Sequence, residues 1–336
     1  PEGRGRLTPP AVKVAAGAGV LILLLALPLV VDARLPTFIN GVIFVVVFAS
    51  LALLVRTSGQ ISLCHATFGA FGATSFAHFT SGLGLPWFVA LLLAGLAVIP
   101  LGVIVAVPAI RLSGLHLALA TFGLAILMER VVYPSALMFG AVGSRRAPRP
   151  SFAQSDTGFY YVAVALAAGA CVVVVLITRT RLGHLLRGLG ESPTALMTNG
   201  LAVSVTRVVV FAVSAFLAGT AGALFAAASG NVSGRGFGSF DSLVYLVVLA
   251  VAGRALLASS VVAALVLAVA PAYLPDAFLQ HQALIFGLAT VAIVAATGIR
   301  IRPGRALERT RSSPVRARPV ELAGWTPVLA VPEPQP

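Results

Sequence analysis

The sequence predicts an all-α polytopic membrane protein of about 8–10 transmembrane helices, with glycine-broken segments near the centre of the bundle. Three observations carry this. Hydrophobic residues make up 59% of the 336-residue chain and charged residues only 10%, against roughly 25% charged residues in a soluble domain. Mean hydropathy is +1.01. Apolar stretches approaching the roughly 20 residues that cross a bilayer recur between positions 13 and 299, with the charges held in short gaps between them.

The elements follow in order. Residues 1–12 form a cytoplasmic N-terminal segment, and Arg4, Arg6 and Lys13 precede or open the first apolar run, 13–31. That run has no clear small-residue cleavage site and further spans follow, so it reads as a retained helix, not a signal peptide. Further runs lie at 37–55, 86–108, 112–133, 159–178, 207–228, 256–274 and 282–299. Two weaker segments, "GQISLCHATFGAFGATSFAHF" at 59–79 and "SFDSLVYLVVLAVAG" at 239–253, bring the count to about ten crossings. The membrane domain is thus 13–299, with a cytoplasmic loop at 179–206. Residues 300–336 turn to Arg and Pro without helical or strand period, which reads as a disordered cytoplasmic tail. Its arginines suit anionic lipid headgroups; retention of the C-terminus inside explains them equally well.

Orientation follows from Lys and Arg, which favour the cytoplasm in short loops. With the N-terminus inside, the inner loops hold Arg56, Arg111, the group Arg179, Arg181 and Arg187, and Arg254, while Asp32, Arg34 and Asp276 fall outside. The chain is then a multi-pass protein of the cell (inner or plasma) membrane with both termini cytoplasmic. Arg145, Arg146 and Arg149 break the pattern in the outer, Pro-rich 134–158 loop. Two readings stand for it: a docking surface for an external partner, or a solvated loop.

Polar interruptions mark the candidate site. On a helix over 59–79, Ser62, Ala66, Gly69 or Ala70, and Ala73 share a face, with His65 and Gly72 on a neighbouring one. Small residues let membrane helices approach closely. A second such surface follows, with Ala215, Gly219, Ala223 and Ala227 in one row and Ala218, Gly222 and Ala226 in another. Gly69, Gly72, Gly219 and Gly222 are therefore the helix-packing candidates. Polar side chains at this depth must face protein or a hydrophilic passage, and Ser62, His65 and Thr67 are the candidates for a translocation path. For His65 and His78, a hydrogen-bonded packing role is the competing reading. Two polar interruptions, each after an ordinary helix, also hint at two internal halves.

Other chemistry is not indicated. There is no GxSxG nucleophile elbow and no GxxxxGK[ST] phosphate loop, so no catalytic residue is assigned and the chain is read as a transport subunit, not an enzyme. Cys64 and Cys171 have no CxxC spacing, so neither a disulfide framework nor a metal site is expected. The net charge of +13 is spread over loops and tail instead of forming a folded basic face, which argues against nucleic acid. Glu129, Arg130, Asp241 and Arg254 lie near span ends, where snorkelling explains them. No chain of buried carboxylates suggests proton coupling.

The cytoplasmic loop with the helix after it, "RTRLGHLLRGLGESPTALMTNGLAVSVTRVVVFAVSAFLAGTAGALFA", resembles the coupling region of branched-chain amino acid ABC transporter permeases. There a short acidic, Ala-rich helix and a Gly precede a "SAFxAGxAGAL" membrane helix. Glu191, Ala195 and Gly200 occupy the coupling positions, and Ser214 to Ala226 is nearly a direct match. The family's "GQxSLGHAxFxxxGA" is matched by Gly59, Gln60, Ser62, Leu63, His65, Ala66, Phe68, Gly72 and Ala73. "RLSGLHLALATFGLAILMERVVY" resembles a further family helix through Arg111, Gly114, Thr121 and Gly123. Together these similarities run from about residue 37 to 303. The resemblance departs at Met197, where a second acidic residue is expected, at Pro193, at Cys64 in place of Gly, and in "VVLAVAGRALLASS", 247–260, which has lost glycines.

The resemblance implies an importer built from this chain, a second permease subunit, two ABC ATPase subunits gripping the coupling helix near Glu191 to Gly200, and an extracytoplasmic solute-binding protein. No cofactor is implied in this chain, since ATP would sit on the partner subunits. The solute would be a branched-chain or other small amino acid. From hydropathy alone, a secondary transporter or channel for a small polar solute, working without an ATPase, stands close to even with this reading.

Overall fold

The computed structural model describes residues 24–31, 34–112, 114–140, 142–191, 203–253, 255–273 and 288. The N-terminal segment 1–12, most of the first apolar run, the run at 282–299 apart from residue 288, and the tail at 300–336 lie outside the described residues. Helix α1 runs Leu35–Ala52, with Pro36 in its first turn, where the missing N–H costs nothing. It ends in a wide π-helical turn, Leu53–Thr57. Gly59, at φ +66°, then takes the left-handed conformation that only glycine adopts freely. The chain runs irregularly to Cys64 before α2, His65–Ala77, and a π turn at His78–Gly82.

The 59–79 segment is therefore a broken element and not one continuous crossing. Within the irregular stretch Leu63 N–H finds its acceptor on the Thr121 hydroxyl of a later helix, at 2.9 Å, in place of a partner within a helix. Next come α3, Trp87–Arg111, and α4, Gly114–Leu127, with a π turn at Met128–Val132. They are followed by α5, Asp156–Arg179, α6, Arg181–Glu191, α7, Val203–Ser229, and α8, Ser239–Val251. The last described helix, α9, is Leu256–Ala264, extended by a π turn at Leu265–Val269 and a 3-10 turn. Among the described residues seven helical stretches are long and apolar enough to cross a membrane, at 35–57, 87–111, 114–132, 156–179, 204–229, 234–251 and 256–273. The weak 239–253 segment falls within the sixth of them.

Helix α7 is central, lying against α3, α2 and α1, while α1 also meets α5 and α9. Two arginines tie one end of the bundle. Arg56 Nη2 donates to Leu249 O at 2.8 Å and also to Gly253 O, at the end of α8. Arg207 Nη1 donates to Ala109 O at 2.7 Å and Ile110 O at 2.8 Å, at the end of α3. The last carbonyls of a helix have no partner within it and carry the negative end of its dipole, so a guanidinium answers both needs. Arg207→Met is expected to lower stability by about 1–3 kcal/mol, read as the denaturation midpoint of the purified chain. Arg207→Lys should recover part of the loss, and an unchanged midpoint for Met would remove the capping role.

The opposite end is closed by loops. Strands β1, Ser144–Arg146, and β2, Asn231–Ser233, pair antiparallel with Arg145 opposite Val232. This ribbon is the one departure from an all-α chain among the described residues, and it joins the loop after α4 to the loop after α7. Arg145 is held within its own loop by Met138 O at 3.0 Å and Ala136 O at 2.6 Å. Arg149 pairs with Asp156 at 2.7 Å and lies over the Phe159 ring. Arg149 Nη2 also donates to Ala228 O of α7 at 2.9 Å, so Arg145 is occupied inside the loop and Arg149 ties the loop to α5 and α7, while Arg146 stays exposed. His78 reaches Leu137 O of the same loop at 2.7 Å.

Candidate functional site

Breaking the helix at 58–64 places the start of α2 inside the bundle. Leu63 N–H donates to Thr121 Oγ1 of α4, and Ala66 N–H donates to Ser242 Oγ of α8, each at 2.9 Å. Two otherwise unpaired donors at the start of a helix are thereby satisfied by hydroxyls from two different helices. Ser62 is fully buried, its Oγ 3.2 Å from Cys64 Sγ.

His65 is 1% exposed, and its Nε2 lies 2.9 Å from Ser214 Oγ of α7. Ser214 Oγ in turn donates to Ser50 O of α1 at 3.0 Å. A serine hydroxyl has one proton to give. With that proton spent on Ser50, the hydroxyl must accept from His65, so Nε2 carries the ring's hydrogen and Nδ1 is a bare acceptor. Nδ1 has no hydrogen-bond partner among the described residues, and neither do the amide nitrogen and oxygen of Gln60, a side chain only 6% exposed. Each such orphan costs roughly 1–3 kcal/mol when left dry. A water or a polar solute beside them relieves that cost.

One turn on, α2 and α7 cross at glycines. A Cβ placed on Gly72 would fall 2.5 Å from Gly219 Cα, and one placed on Gly222 would fall 2.5 Å from Gly69 Cα. Gly219 in turn faces Val98 of α3, 2.6 Å from where its Cβ would be. The backbones of α2 and α7 touch directly, and no side chain fits between them.

Polar groups continue toward the loop end. Thr67 lies beside the Tyr133 hydroxyl, and that hydroxyl donates to Phe237 O at 3.2 Å. At the start of α8, Asp241 Oδ2 accepts from Gly238 N–H at 2.7 Å and Glu129 Oε2 accepts from Ser239 N–H at 2.6 Å. Two carboxylates at a helix N-terminus complement its dipole.

The structure therefore gathers Ser62, His65, Thr67, Gly69, Gly72, Gly219 and Gly222 around the meeting of α2 and α7. It does not bring Glu191 there. Glu191 is the last residue of α6, and Ala195 and Gly200 lie outside the described residues. Helix α6 itself was not anticipated: Leu182, Leu185 and Leu186 share one face, and Leu186 is fully buried. Among the described residues no group of three His, Cys, Asp or Glu is placed to hold a metal. The residues missed from sequence are the partners Ser50, Thr121, Ser214 and Ser242 together with Gln60 and Tyr133. Ser214, Thr121 and Gln60 sit in the quoted motifs; Ser50 and Ser242 gave no signal beyond being hydroxyls in apolar runs.

Comparison with known proteins agrees with these motifs. The profile of a family described as the permease component of the branched-chain amino acid transport system matches residues 35–296. The high-affinity branched-chain amino acid transport system permease protein LivM of Escherichia coli (strain K12) is 27% identical over 273 residues, covering 73% of this chain and 64% of that protein. LivM of Salmonella typhimurium (strain LT2) is 28% identical over 273 residues with the same coverage. The match thus spans less than two thirds of the length of these curated relatives. No solved structure matches the chain significantly.

Proposed function

The chain belongs to the family of branched-chain amino acid transport permease components, and from that premise we propose that it is the membrane-spanning subunit of an ABC importer. It would move branched-chain or other small amino acids inward using ATP hydrolysed by separate ATPase subunits. A second permease subunit would complete the path, and an extracytoplasmic binding protein would deliver the solute. The observation that carries this reading is the family match, which extends across nearly all the described helices.

In this reading the broken segment is the pathway element. Ser62, His65 and Thr67 would border the passage, with the bare Nδ1 of His65 and the amide of Gln60 exchanging partners between water and solute. The coupling segment at Glu191, Ala195 and Gly200 would sit in an ATPase groove, and closure of the ATPase dimer would bias the permease between inward-open and outward-open states. Packing at Gly69, Gly72, Gly219 and Gly222 would keep the pathway helix against its neighbour through that cycle.

The test is reconstitution. Proteoliposomes holding this chain with its partner permease, ATPases and binding protein should concentrate leucine only when ATP is supplied to the ATPase side. Solute movement by this chain alone, indifferent to ATP, would replace the importer with a secondary transporter or channel.

A further inference from the structure

The mouth of the loop end holds a cavity of about 540 Å³, lined among others by Glu129, Tyr133, Phe139, Val142, Ser233 and Arg235. Its size falls within the roughly 300–1,000 Å³ of small-molecule sites. Its chemistry has three parts. Glu129 brings a carboxylate whose bonds from the Ser239 hydroxyl and N–H leave it capacity, because a carboxylate offers about four acceptor sites. Arg235 brings a guanidinium that has neither ion pair nor hydrogen bond to any described residue and is exposed to solvent. Phe139 and Val142 bring an apolar wall.

We propose that this cavity is a receiving site for a zwitterionic hydrophobic amino acid, with the α-ammonium on Glu129, the carboxylate on Arg235 and the side chain against Phe139 and Val142. The inference rests on the amino-acid importer reading. One negative group, one positive group and an apolar surface in one hollow match the three parts of such a solute, whereas a simple cation or anion would leave one charge unanswered. Arg235 is a fitting carboxylate ligand because its planar fork can meet both oxygens at once. Tyr133 forms part of its lining and lies beside Thr67, which stands two residues from His65. On this proposal the Tyr133 hydroxyl, with Thr67 behind it, would be the next polar group for a solute leaving Glu129 and Arg235.

The site is tested on the full chain alone in lipid nanodiscs, without ATP or partner proteins, by binding of radiolabelled leucine. Leucine should bind. Isopentylamine, which lacks the carboxylate, and 4-methylpentanoate, which lacks the ammonium, should each compete about tenfold more weakly or worse. Glu129→Gln keeps an oxygen for Ser239 and should weaken leucine about tenfold while leaving competition by 4-methylpentanoate unchanged. Arg235→Gln, at an exposed position, should do the converse and spare isopentylamine. Absence of leucine binding, an analogue that competes as well as leucine, or two variants that bind leucine like the parent would each overturn the assignment. Because the assay needs neither ATP nor partners, loss of ATP-driven uptake in the complete assembly is a separate failure and leaves this result standing.

Discussion

Gly72→Leu is expected to eliminate the folded protein, with no monodisperse species recovered from membranes. The cause is geometric. Even a methyl group at this position would lie 2.5 Å from Gly219 Cα, closer than the 3.0 Å below which real Cβ atoms are essentially never found. The obstruction is backbone, so no rotamer change relieves it, and α2 and α7 must separate. Overpacking a core typically costs about 1–3 kcal/mol, and separating two helices adds the contacts on either side, including the His65–Ser214 bond at 2.9 Å. Gly72→Ala should therefore be recovered with a lowered melting temperature, and Gly222→Leu should fail like Gly72→Leu. Gly169→Leu is the control, since no described residue lies within 4 Å of its added Cβ. Normal yield and melting for Gly72→Leu would show that the crossing is not needed.

The second large effect concerns coupling. Deleting 191–200, or replacing Glu191 with Ala, is expected to abolish ATP-driven uptake while membrane insertion and, for Glu191→Ala, thermal stability stay at parental values. Helix α6 ends at Glu191 and rests on α5, α7 and the π turn at Leu53–Thr57, so a push on its far end would have a direct mechanical route into the bundle. Uptake measured in the reconstituted assembly decides. Unchanged ATP-driven transport in either variant would remove this segment from the coupling role.

The fold class was legible because a bilayer imposes so few solutions: long apolar runs must be helices, and their number follows from length. The family was legible from motifs such as "SAFLAGTAGALFA". What could not be read was where a weakly apolar segment stops being a helix. In 59–79 the periodicity is acceptable throughout, yet Leu63 and Ala66 find their partners on Thr121 and Ser242, and such long-range hydroxyl bonds leave no mark on local spacing. The same limit hid the state of His65, because the bare Nδ1 follows from Ser50 and Ser214 together, contributed by two other helices. The β ribbon escaped notice for a simpler reason. Three-residue strands in separate loops carry too little pattern to suggest that they meet.

The π turns at Leu53–Thr57, His78–Gly82 and Met128–Val132 act as a vernier on the bundle. A π turn spends one more residue per revolution than an α turn, and one residue is about 100° of rotation, so everything beyond it is out of phase with the helix before. Arg56, His78 and Glu129 all sit within these turns, and each makes a hydrogen bond far along the chain, to Leu249, Leu137 and Ser239. A regular helix would aim the same side chains elsewhere around the cylinder. The spare residue in each turn thus sets the bearing of the polar groups at the span's end, and alleles that gain or lose a single codon there would disrupt those groups while leaving hydrophobicity, length and charge almost untouched.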